Sequence, residues 1–167
     1  MGYTTEPWVG FGEALAAVAG ALTGLLFVAI SVKADALAAS RSLSARAAQT
    51  LALFMISVVI AVLLVAPQPA AALGAELLAV AAVWGAALLI LDRRAGHASD
   101  QEVARYIERF SPNTLTAVLV GISGLTFLVK AGGGLYWLIP AAMASLLGGV
   151  FNAWLFLIRV PPHMDDS

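Results

Sequence analysis

The chain has no cysteine, only two histidines and little charge, with 11% of its 167 residues charged where soluble domains carry roughly a quarter. Each shortage closes off a class of chemistry. Without cysteine there is no disulfide, thiolate nucleophile, iron–sulfur site or zinc–thiolate site. Both histidines, His97 and His163, fall in polar segments, so no pair stands among apolar residues to ligate haem or a catalytic metal. The formal net charge is −1 and the basic residues are scattered, which argues against a nucleic-acid partner. The sequence contains no H-E-x-x-H, no G-x-S-x-G and no phosphate-binding glycine loop with its lysine. Ser123, set as Gly121-Ile-Ser-Gly124, has the surroundings of an intramembrane nucleophile. It lacks an embedded His or Lys at a compatible depth to activate it. The reading is a non-enzymatic protein with no cofactor and no metal.

What the chain has in abundance is apolar length: 61% of its residues are hydrophobic. Five stretches, at about 9–32, 47–66, 73–91, 115–129 and 135–158, approach the roughly 20 residues needed to cross about 30 Å of hydrocarbon. The expected fold is all-α: a single polytopic transmembrane bundle over 1–167. Residues 1–8 carry only Glu6 as a charged side chain, so the first stretch reads as a retained span and not a secretory signal. The basic residues alternate by loop. Lys33, Arg41, Arg46, Arg93, Arg94, Arg105, Arg109 and Arg159 fall on one side of the five spans and Lys130 alone on the other. The positive-inside rule reads this as N-out, C-in, multi-pass in a plasma membrane. Tyr3, Trp8, Tyr136 and Trp137 then meet the outer interface.

The connections have their own signals. Pro67-Gln68-Pro69 removes two backbone donors and breaks the helix, making spans two and three antiparallel neighbours. The first span continues as a helical extension over 34–40, and Ser44 stands where it would cap the second helix. Ser99-Asp100-Gln101-Glu102 has capping-box spacing, followed by Val103, Tyr106, Ile107 and Phe110 at helical intervals. This predicts an amphipathic helix over 99–110, lying on the membrane surface or docking a soluble partner. Gly132-Gly133-Gly134 makes a tight turn between spans four and five, or leaves room for a neighbouring backbone.

Residues three or four apart share a helix face, so each span is tested for a side unlike lipid. In the first, Glu13, Ala16, Ala17, Gly20, Gly24, Phe27 and Ser31 form such a stripe. Ala16, Gly20 and Gly24 give the small-residue pattern that lets helices pack closely, within the chain or between copies. The fourth span carries Asn113, Thr116, Ser123, Thr126 and Lys130, and the fifth Ala141, Ser145, Gly148 and Asn152. These faces read as buried, either as structural glue or lining a wet passage. The second span, aliphatic beyond Thr50 and Ser57, reads as facing lipid over much of its circumference. Glu13, Glu76 and Lys130 share the outer level, where partial burial is tolerated if charges pair. The simpler roles are snorkelling for Lys130 and first-turn dipole compensation for Glu76.

Four stretches together resemble a family of small bacterial multi-span membrane proteins of no established activity. They are Ala21-Leu-Thr-Gly-Leu-Leu-Phe-Val-Ala-Ile-Ser31, Leu63-Leu-Val-Ala-Pro67, Gly134-Leu-Tyr-Trp-Leu-Ile-Pro140 and Gly148-Gly-Val-Phe-Asn152-Ala-Trp. The resemblance implies a bacterial inner-membrane location and a compact helical domain, and transfers no site residue.

The functional expectation is a homo-oligomeric channel or pore for a small ion or solute, bathed in membrane lipid. Its pathway is assigned to Glu13, Glu76, Lys130, Thr116, Ser123, Thr126 and Asn152, and helix packing to Ala16, Gly20, Gly24 and Gly148. The alternative is an accessory or scaffold subunit that binds another membrane protein through the Gly20/Gly24 face or the 99–110 helix.

Overall fold

The computed structural model describes residues 2–32, 34–39, 41–95 and 112–159. The amphipathic helix expected over 99–110, both histidines and Lys33, Arg105 and Arg109 lie outside the described residues. The described residues form six α-helices: α1 Val9–Val32, α2 Ala34–Ala39, α3 Arg41–Val65, α4 Ala70–Ala95, α5 Pro112–Val129 and α6 Leu138–Arg159. Short 3-10 turns, Glu6–Trp8 and Gly134–Trp137, lead into α1 and α6. Among the described residues there is no strand, so the fold is all-α. Five stretches, Glu6–Val32, Ala47–Val65, Ala70–Ala87, Pro112–Val129 and Gly134–Trp154, are long and apolar enough to cross a membrane. They coincide within a few residues with those expected from hydrophobic length, because that property is a local sum along the chain.

The helix ends follow local chemistry. After α3, Gln68 donates from Nε2 to the Leu63 carbonyl at 2.9 Å, satisfying one of the acceptors a helix leaves open in its last turn. Pro69 then accepts from the amides of Ala72 and Leu73 at 2.9 and 3.2 Å. Pro112 opens α5, where a missing N–H costs nothing. Ser44 does not cap α3, because α3 already begins at Arg41. Its hydroxyl instead donates back to the Leu37 carbonyl at 2.7 Å, tying α2 to α3.

The helices pack in the order α1–α3–α6–α5–α4, with only marginal contact of α1 with α6 and of α3 with α4 and α5. So α1 and α4 stand at the two ends of this order, and α3 touches all four of the other spans. This corrects the reading of the second span as lipid-facing: Leu53, Phe54, Ile56, Ser57, Ile60, Ala61 and Leu64 are at most 1% exposed. An all-apolar helix suits either environment. Because lipid tails are as apolar as leucine, shape complementarity and not polarity decides which helix goes inside. Small residues supply the fit. A Cβ on Gly124 would lie 3.0 Å from the Gly74 carbonyl oxygen, and one on Gly149 would overlap the Phe54 ring. These close approaches lock α5 to α4 and α6 to α3.

Candidate functional site

Helix α1 buries Gly12, Leu15, Ala19 and Leu26. A Cβ on Gly12 would lie 3.0 Å from Leu64 Cβ, so this face seats on α3. The opposite face holds the stripe singled out in the sequence. Glu13, Ala17, Gly20, Gly24, Phe27 and Ser31 are exposed, and Ala16 is half-buried against the core. Nothing lies within 4 Å of a Cβ built on Gly20 or Gly24. Among the described residues these glycines make no close helix contact. Gly148, in contrast, packs closely, since a Cβ there would overlap Pro112.

Glu76 and Lys130 sit on the extensively packed α4–α5 pair. Gly74 faces Leu128 there, which puts both charged residues near that pair's end on the N-terminal face. Glu76 is half-buried, and its Oε2 is enclosed without a hydrogen-bond partner among the described residues. Lys130 is exposed and ends α5 in the left-handed conformation, φ 55°. Glu13 stands on α1, which packs mainly against α3 and not against that pair.

The hydroxyls assigned to the pathway are occupied inside the chain. Thr116 donates to the Pro112 carbonyl at 2.7 Å and Thr126 to the Ile122 carbonyl at 2.7 Å. Such bonds to the preceding turn satisfy a hydroxyl without needing water. Fully buried Ser123 reaches the Gly134 carbonyl at 3.2 Å, closing the α5–α6 hairpin. Ser57 and Ser145, also fully buried, share a 2.6 Å hydrogen bond between α3 and α6. Asn152 is half-buried. Asn113 is 3% exposed, and its Oδ1 has no partner. The surface groove between α1 and α6, lined by Phe11, Leu15, Val18, Ile139, Met143 and Leu146, is wholly apolar.

A feature that sequence reasoning missed caps the N-terminal face. The Leu135 amide donates to the Gly2 carbonyl at 3.0 Å, and the Gly133 amide to the Tyr3 hydroxyl at 3.0 Å. Trp137 Nε1 donates to the Gly132 carbonyl at 2.8 Å. Trp8 stacks edge-on against Tyr136 and Phe11, with centroids 5.1 and 5.6 Å apart. Gly132, Gly133 and Gly134 all have positive φ, and a Cβ on Gly134 would collide with the Gly2 carbonyl. The triple glycine is therefore both a turn and the seat of the N-terminal strap. The aromatic residues signal a shared membrane level, whereas a partnership through backbone atoms leaves no mark in the side-chain sequence.

No family model, curated protein or solved structure matches the chain. Among the described residues no group of three or more His, Cys, Asp or Glu is arranged to hold a metal ion.

Proposed function

We propose that the chain is the protomer of a homo-oligomeric membrane pore for a small ion or solute, with the permeation path between copies and Glu13 at its outer mouth. One observation carries this reading: a carboxylate is exposed on a membrane-length helix, on a small-residue face that none of the described residues covers. A charge facing hydrocarbon costs about 2.5–3.5 kcal/mol at the bilayer centre and less toward the interface. Turning that face toward water or another protein removes the cost.

The occupied hydroxyls support a path between protomers. Ser123 ties α5 to the turn before α6, Thr116 and Thr126 are satisfied within α5, and Asn152 is half-buried on α6. Two carboxylates, Glu13 and Glu76, stand against one ammonium, Lys130, at the mouth of each copy, and a ring of carboxylates favours cations. The N-terminus lies outside and the C-terminus in the cytoplasm of a bacterial inner membrane, in line with eight of the nine basic residues falling on one side of the spans.

The test is flux into liposomes holding purified protein. Cations pass faster than into empty vesicles, and Glu13→Gln lowers the preference for cations over anions. Equal leak in loaded and empty vesicles, across several ions and small neutral solutes, refutes the pore. The bare Gly20/Gly24 face favours one second reading, an accessory subunit seated on a different membrane protein. Crosslinking in native membranes separates the two: repeated capture of one unrelated protein and never of a second copy selects the accessory role.

A further inference from the structure

We propose that the copies assemble head to tail, the small-residue face of α1 in one copy packing against the alanine face of α4 in the next, with Glu13 beside Lys130 of that neighbour. This rests on the homo-oligomeric reading and specifies its interface.

The two faces are matched in size. On α4, Ala71, Ala75, Ala79, Ala82 and Ala86 are exposed, and their spacing of three or four puts them on one side of the helix. On α1, Glu13, Ala17, Gly20 and Gly24 do the same. Small residues on both sides let helix backbones approach closely, which is how helices associate where lipid gives no hydrophobic drive. The two faces belong to the helices at the two ends of the packing order, and they are different surfaces, as a head-to-tail contact uses and a two-fold contact does not.

Direction and depth agree. Both α1 and α4 start at the N-terminal face. All copies in one membrane share an orientation, so these two helices run parallel between neighbours. Gly20 lies eleven residues past Val9 and Ala82 twelve past Ala70, or about 17 and 18 Å down the helix axis.

Charge then selects between the two ways of covering α1. A two-fold axis along the membrane normal would set Glu13 against Glu13 at equal depth, two like charges in a poorly solvated site. The head-to-tail contact brings Glu13 to the helix pair carrying exposed Lys130, the one basic residue at that level, beside Glu76, which is half-buried with one carboxylate oxygen enclosed. Where the rotation of such a heterologous contact closes, the copies form a ring, which leaves an axis for a path.

The natural absence of cysteine makes the test direct. Gly20→Cys/Ala82→Cys and, as a second pair, Ala17→Cys/Ala79→Cys are oxidised in native membrane vesicles, beside each single variant. The expected result is a ladder of dimer, trimer and higher species from the doubles and monomer from the singles. Introducing Glu13→Lys lowers the ladder yield about fivefold, the effect of losing a pair worth ~1 kcal/mol, and adding Lys130→Glu restores it. Dimer from Gly20→Cys alone overturns the proposal in favour of an α1–α1 seam. An oligomeric mass by native mass spectrometry with no ladder from either double overturns it while leaving the oligomer standing. Monomeric mass with no ladder removes both.

Discussion

Gly149 lies against the ring of Phe54, which is 1% exposed on the central helix. A Cβ added there would overlap Cε1 and sit 2.9 Å from Cδ1 and Cζ, well inside van der Waals contact. The ring has little room to yield, because it is itself almost fully enclosed. Gly149→Ala should therefore destabilise the bundle by about 1–3 kcal/mol, the usual range for forcing a group into a packed core. Gly20→Ala adds the same methyl where nothing lies within 4 Å, and should change stability of the single chain by about 0.5 kcal/mol or less. The rescue is Phe54→Leu, which frees space beside Gly149. Its double variant with Gly149→Ala should cost less than the sum of the two singles, because residues in contact are not additive. The assay is reversible unfolding in mixed micelles with increasing SDS, followed by tryptophan fluorescence and helical circular dichroism. Equal effects of Gly149→Ala and Gly20→Ala, or strict additivity with Phe54→Leu, would refute the proposed packing of α6 on α3.

Two further outcomes are expected. A double-mutant cycle of Ser57→Ala and Ser145→Ala should give a coupling of about 0.6 kcal/mol in the same unfolding assay, the usual worth of an interhelical hydrogen bond in a membrane protein; zero coupling would mean that the 2.6 Å bond contributes nothing. Tyr3→Phe removes the acceptor for the Gly133 amide and should cost about 0.5–1.5 kcal/mol. Hydrogen exchange should quicken at Gly133 and at Leu135, whose amide meets Gly2, while amides in the middle of α3 keep their protection. Uniform loss of protection would mean that the N-terminal strap supports the whole fold and not only this face.

The number and limits of the spans were legible because crossing a bilayer is a matter of summed local transfer energy, and Pro67, Pro69 and Pro112 punctuate that sum wherever the chain folds. Glu13 was legible as unusual for the same reason: a charge within an apolar run stands out in any arrangement. The sequence alone thus determined an all-α chain with five membrane-length helices and identified the residues unlike lipid. It did not determine which way they point. The all-aliphatic α3 went to the centre, and the Gly20/Gly24 side of α1 was left bare. A bilayer and a protein interior are almost equally apolar, so polarity assigns no inside to a membrane helix. Shape does, through Gly149 against Phe54 and Gly124 against the Gly74 carbonyl, contacts between residues distant in the chain. The strap of Gly2 and Tyr3 onto Gly133 and Leu135 was likewise decided by tertiary structure, because its partners are mainly backbone groups that every residue type offers.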